Sequence, residues 1–474
     1  MKKQKKVLAI LLCMVLVVLT GCKTSEEEKK PDSSKTEQNN QNQNDTQKEQ
    51  ITLTYASWAL GTEEDNNLER RMIAEYEATH SNIKIKIAED IISAGSWEDA
   101  LATAAAGGSL PDVALIGGLP GAVAKEWALD VSEYTKNDTE WNNVPESLRE
   151  SGIFGGKQFG LPSAMHLAGM FVNKDLFEAQ NVEPLSYGYT LEDLERTVAA
   201  MSAPANGVVA LKNADIVDWY PAVKNSSLGW FTYDGKEVHL NDASFIDAVK
   251  YSLFLNNSGY TFEGLTTDQR SNFGVESDWE AWNAGKVAMC YDATYACDSL
   301  AKERSFTSEF IGLPNGKLVI IPDYQFIGKT TKHPQEAYDF AKFMSYGKEG
   351  ILKRLEIVEA NEGINWVALP LNSDSEIVDK YFANFPVEGV KTAYEAMAGN
   401  TIVEAYKFTP GYTNARWNAL TGIKAGESDN ATIAEVITAC RNGSLNIDDY
   451  AEQLNKLANQ YISEEAAIID EVTK

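Results

Sequence analysis

Between residues 51 and 116 the apolar spacing switches back and forth between two periods. Ile51 to Trp58 and Ile83 to Ile87 alternate as strands do, whereas Glu63 to Thr79 sets Leu68, Met72, Ile73 and Tyr76 at helical spacing. Trp97 to Ala106 repeats the helical pattern, stops at Gly107-Gly108, and is followed after Pro111 by a third strand, Asp112 to Ile116. Strands alternating with helices pair in parallel, because each helix returns the chain over a face of the sheet before the next strand begins. The expected fold class is therefore α/β, a mostly parallel sheet flanked by helices. Ligands of such sheets lie beyond the carboxyl ends of the strands, where helix N-termini offer N–H donors. That rim takes Trp58, the turn Gly61 to Asp65 with Glu64, and Gly117 to Gly121.

A second stretch, Gly156 to Phe177, reads as a turn, a short strand, a bend at Pro162, a buried strand and a helix opening at Asn173-Lys174-Asp175. Such a segment leaves one domain and enters another, with Ser163, Met165 and His166 at the crossing. Its pattern resembles the "G-K-x-Y-G-L-P … Y-N-K-D-L-F" crossover of the bacterial extracellular solute-binding proteins that feed sugar-importing ABC transporters. Phe159 and Val172 stand where that family has Tyr. The capping box Thr190-Leu-Glu-Asp193 is similar to its "T-W-d-E-L" helix start, with Leu191 for Trp. Ser277 to Asp298 resembles "F-x-x-G-K-A-A-M-x-x-x-G-x-W", with Trp282 as the core aromatic, Asp292-Ala-Thr as the turn and Tyr295 as the closing aromatic. Thr331 to Ala337 resembles "s-k-h-P-e-A", and Gly363 to Pro370 the last crossover.

The resemblance implies a two-lobed periplasmic-binding-protein-like fold, like that of maltose-binding proteins, with three interdomain crossings at 156–177, 306–311 and 366–371. Lobe 1 would hold 51–162 plus 307–366, and lobe 2 would hold 163–306 plus 367–474. It also implies a monomeric receptor that binds a carbohydrate, an oligosaccharide above all, and delivers it to ABC permease subunits without a cofactor or metal.

The first 22 residues stand apart. Lys2, Lys3, Lys5 and Lys6 precede an apolar run, Val7 to Leu19, too short to span a bilayer comfortably, which marks a secretory signal. It ends Leu19-Thr20-Gly21-Cys22, similar to a bacterial lipobox, so Cys22 is expected to carry lipid and anchor the chain on the outer face of the cell membrane. Residues 23–50 hold almost no apolar side chain and read as a disordered tether. Cys290, Cys297 and Cys440 are left in the body, an odd number that excludes a complete disulfide framework. A net charge of −27 argues against a nucleic-acid partner and against an anionic ligand held by a basic patch.

A sugar cleft needs flat aromatic faces for C–H surfaces and planar polar groups for hydroxyls. Trp58, Trp219, Tyr220, Trp230, Tyr295 and Trp366 fall at expected strand ends, loops or crossovers, and each is either a cleft wall or a core aromatic. Trp97, Trp127, Trp279, Trp282 and Trp417 sit in helical patterns and read as core. The polar candidates are Ser163 and His166 at the crossing, with Glu64, Asp292 and Asn365 also readable as caps or turns; Met165 would pack on a ring face. His80, His166, His239 and His333 are dispersed, and no phosphate loop, EF-hand or nucleophile elbow occurs. Two alternatives stay open: a surface glycan-degrading enzyme working through two distant carboxylates, and a receptor for a peptide or polyamine.

Overall fold

The structure, a computed structural model, describes residues 49–383 and 385–474. The signal segment, Cys22 and nearly all of the expected tether lie outside the described residues. Among the described residues no helix is long and apolar enough to cross a membrane.

The alternation at the start of the chain is realised as expected. Ile51–Ala56 (β1) pairs in parallel with Ile83–Ile87 (β2) on one side and with Val113–Ile116 (β3) on the other. Leu68–Thr79 (α1), capped by the Asn67 side chain, and Trp97–Ala106 (α2), capped by Ser96, make the returns; Leu119–Ala124 (α3) follows β3. The glycines at 152–160 form a hairpin of Ile153–Phe154 with Lys157–Gln158.

The crossover is one long strand, Leu161–Asn173 (β4), and Pro162 bends the chain without ending it. Its first residues pair with Leu318–Ile327 (β8) and its last with Val287–Ala293 (β6) and Ser308–Gly312 (β7), all antiparallel. Val209–Leu211 (β5) lies parallel to β6, and Thr401–Val403 (β9) parallel to β8. Pro322-Asp323 carries the local signature of a turn between two strands, yet β8 is a single strand, because the irregularity is only a register shift at Asp323/Tyr324 and pairing with β4 continues on both sides. One nine-stranded sheet results, ordered β2-β1-β3-β8-β4-β6-β5, with β9 on β8 and β7 on β4. This mixed sheet is the two-lobed α/β architecture: three strands and their helices at one end, β4 with β8 in the middle, and the other four strands beyond or beside them.

Where β4 meets β7 the backbones touch. A Cβ on Gly169 would stand 2.7 Å from Gly312 Cα, so only glycine fits. One buried cluster runs from Leu53, Tyr55 and Leu161 along β4 to Phe171, Cys290 and Phe310. Another fills the second half around Met170, Leu211, Trp219, Phe245 and Met289. Leu191–Met201 (α4) and Ala243–Asn257 (α5) cover that second core, α4 opening on the Thr190/Asp193 capping box.

Among the further helices are Cys297–Glu303 (α6), Pro334–Met344 (α7), Lys348–Ala360 (α8) and the 22-residue Ala451–Val472 (α9). Helix α9 packs Leu454, Ala458 and Ile462 into the second core and Ile469 into a third cluster, with Leu119, Val123 and Phe154 of the first half. The Lys157 ammonium donates to the carbonyl of Thr473 at 2.6 Å, fixing its far end. Cys290, Cys297 and Cys440 are free and buried.

Candidate functional site

The carboxyl ends of β1, β3, β6 and β9 all point toward the line where β4 and β8 cross. β1 ends in the turn Trp58–Leu60, whose start is capped by the Ser57 hydroxyl accepting from Ala59 N. Trp58 is thereby held 39% exposed, edge-on to Trp97 at 5.2 Å. It lines two cavities at once. One, of about 470 Å³, is walled by Ser57, Ser163, His166, Gln325, Arg354, Asn365 and Trp366. The other, of about 900 Å³, runs along Trp97, Gly117, Tyr406, Thr409, Asn414 and Glu465.

At the crossing, Ile321 of β8 lies opposite His166 of β4. Burial holds His166 down to about 4, so its ring is neutral at physiological pH. The His166 Nδ1, the Ser163 hydroxyl and the Gln325 Oε1 are buried with no partner among the described residues. Three unsatisfied polar atoms beside one cavity mark a place where a ligand supplies the missing bonds. Tyr295, 52% exposed, meets the His166 ring edge-on at 5.5 Å. Asp292, one pair along β6, accepts from Ala293 N through Oδ1, leaves Oδ2 unpaired, and is raised by burial.

Ion pairs stiffen the centre. The Lys407 ammonium donates to Asp323 at 3.0 Å, and Arg416 donates to Asp218 through both terminal nitrogens, at 2.6 and 3.1 Å. Arg416 lies between Phe231 and Trp417, 4.4 and 4.7 Å from their ring centres, and donates to Tyr412. It belongs to a single π-helical turn, Asn414–Asn418, a geometry common at functional sites. Glu404, just beyond β9, is raised by burial first and then by Asp218 and Asp323, against Lys407 and Arg416.

Of the candidates read from the sequence, Trp58, Ser163, His166, Asn365 and Trp366 line the first cavity, and Tyr295 faces it through His166. Asn365 donates to Asp298 of α6 at 3.1 Å, and Trp366 packs on Tyr381 beneath Arg354, which pairs with Glu69. Three candidates are corrected: Trp219, Tyr220 and Trp230, 0%, 4% and 9% exposed, belong to the second core. The indole N–H of Trp219 donates to Asp215 O, so its polar edge is already used. Met165 is fully buried and bridges Leu369, which leaves its thioether no access to the ring face of a ligand. Glu64 is exposed on its turn and lines neither cavity. Trp279 and Trp417, read as core, are instead 43% and 50% exposed, Trp279 over the Lys212 ammonium at 3.5 Å. Asp218, Asp323, Glu404, Tyr406, Lys407 and Arg416 were not singled out, because they gather from four distant segments and share no local spacing.

Comparison with known proteins places this geometry. Residues 59–345 match the family described as bacterial extracellular solute-binding protein. An uncharacterised ABC transporter extracellular-binding protein of Pyrococcus horikoshii is 25% identical over 329 residues, covering 63% of this chain and 69% of that one. The sugar-binding protein MalE from Xanthomonas citri superposes with a TM-score of 0.65 at 13% identity, covering 89% of this chain and 99% of that one. An ABC substrate-binding protein from Listeria monocytogenes in complex with cycloalternan gives 0.61 at 18% identity, covering 88% and 100%.

Proposed function

The chain belongs to the bacterial extracellular solute-binding proteins, and from that premise we propose that it captures a carbohydrate in the cleft between its halves and hands it to an ABC import permease. The observation that carries this reading is the pair of cavities sharing Trp58, the smaller of them lined by unpaired polar atoms of Ser163, His166 and Gln325. Aromatic walls with unsatisfied neutral hydrogen-bonding groups suit a polyol, whose C–H faces stack while its hydroxyls donate and accept. Two adjoining cavities favour an oligosaccharide over a single ring. The named ligands of similar structures, cycloalternan among them, point the same way.

Around this site the reading is of a monomer that needs no cofactor and catalyses nothing. Its lobes divide as 51–162 with the returning segment, and 163–306 with the tail. Pairing of Ser308–Gly312 with the end of β4 favours a return along β8 in place of 306–311. Cys22 is the proposed lipid attachment point, holding the receptor at the outer face of the membrane, and Cys22→Ser should shift it to the culture medium.

Isothermal titration of the soluble chain against a glycan panel tests the function. Binding of at least one glycan class, with no product released on long incubation, is the expected result. Binding confined to peptides or polyamines would sink the carbohydrate assignment.

A further inference from the structure

One wall of the larger cavity carries almost no side chains. Gly117, Gly118 and Gly121, where β3 passes into α3, line it. Glycine is called for where φ is positive, where a Cβ would collide, or where a ligand comes close to the backbone. The first two reasons fail at Gly118 and Gly121. Gly118 is extended, with a φ of −127°, and Gly121 lies within α3. A Cβ on either would meet nothing within 4 Å. Alanine would also serve the helix better at Gly121. The space that these two positions keep open belongs to the cavity.

Polar groups from distant parts of the chain gather around the wall. A Cβ on Gly117 would lie 3.6 Å from the Tyr406 hydroxyl and 3.8 Å from Glu98 Oε1, so both groups stand over its near end. Thr409, three residues beyond Tyr406, lines the same cavity; it is 2% exposed, and its hydroxyl has no partner among the described residues. A buried hydroxyl left unpaired is costly, and a ligand entering the cavity would complete its bond. Glu98, Asp99, Glu464 and Glu465 line the cavity too, with Lys125 the one cation on its walls. Such a surface accepts from hydroxyl donors and repels negative charge.

We propose that the larger cavity is a second sugar station, in which an uncharged sugar unit lies directly on the backbone of residues 117–121 and bonds to the Thr409 hydroxyl, and that Gly118 and Gly121 decide which glycans fit. This rests on the carbohydrate reading above and deepens it. The smaller cavity takes the first units of a neutral oligosaccharide, and the units that follow pass Trp58, which lines both cavities, onto the glycine wall. The broad C–H face of a ring reaches the backbone only where no Cβ intervenes. A methyl group at Gly121 would hold it off.

The experiment is calorimetric titration of the wild-type chain, Gly121→Ala and Thr409→Val with neutral gluco-, manno- and xylo-oligosaccharides from disaccharides upward and with oligouronates, alongside the unliganded melting temperature of each chain. The wild type should bind the longer members of a neutral series more tightly than its disaccharide, and oligouronates least. Gly121→Ala should raise the melting temperature by about 1–2 °C, through helix propensity, yet weaken the longer glycans about tenfold or more. The disaccharide, held in the smaller cavity, should bind it unchanged. Thr409→Val should weaken the longer glycans by about three- to tenfold. It removes a hydroxyl that bonds to nothing in the free protein, so it decides the matter even if Gly121→Ala fails to fold. Longer glycans that bind either folded variant as tightly as the wild type, or oligouronates that bind the wild type best, overturn the second station and leave the carbohydrate reading standing. A wild-type chain that binds no oligosaccharide overturns both.

Discussion

Trp219 and Tyr295 stand at opposite extremes of exposure, and their removal separates packing from recognition. Trp219→Ala should cost the unliganded protein about 3–5 kcal/mol, read from a denaturant melt, since it empties a fully buried indole site. Tyr295→Ala should leave that melt within about 0.5 kcal/mol and weaken glycan binding, because half of the ring already faces solvent. His166 supplies a pH signature. Its folded value of about 4 lies below the ordinary 6.5, so the unfolded chain takes up the proton first as pH falls. Stability is intact above pH 6.5 and is lost between 6.5 and 4, by up to about 3 kcal/mol. His166→Asn should flatten that part of a stability-against-pH curve; an unchanged slope would mean that His166 titrates normally. At this scale the sequence was half legible. Local punctuation exposed Ser163, His166 and Trp58, but a tryptophan in a turn looks the same whether the turn faces a cleft or, as at Trp219, a core.

Among the elements, β4 and β8 decide the architecture. Their prolines, Pro162 and Pro322, suggested breaks, yet both lie within continuous strands, because sheet pairing on either side outweighs one lost donor. The early alternation was legible since β1 to β3 and their helices are local units with caps and glycine stops. The three-residue β9 was not, although it delivers Glu404, because its pairing with β8 joins residues far apart in the chain. Gly169 offers the test of the crossing. Gly169→Ala forces β4 away from Gly312 and should destabilise the protein by about 1–3 kcal/mol, measured by thermal or denaturant unfolding. Gly156→Ala, with open space around its Cβ, bears only its positive φ and should cost less.

For the whole molecule, ligand and stability are linked. A saccharide at a hundred times its dissociation constant should add about 2.7 kcal/mol, seen as a concentration-dependent rise in melting temperature. The two-lobed class was readable from motifs spread between residues 51 and 370, each carrying a local pattern of strand, turn or cap. The full composition of the cleft was not, since residues far apart in the chain, among them Tyr406, Thr409 and Glu465 of the tail, join Trp58 and Trp97 on its walls.

That tail includes α9, a rod about 33 Å long whose ends are seated in different halves of the protein. Two neighbouring strands alone would let the halves twist as well as open. A third tie, set off from the line of those strands, would resist the twist and favour a single axis of swing, like a door hung on two hinges and steadied by a stay. Halves tied in this way would come back to the same register after each opening.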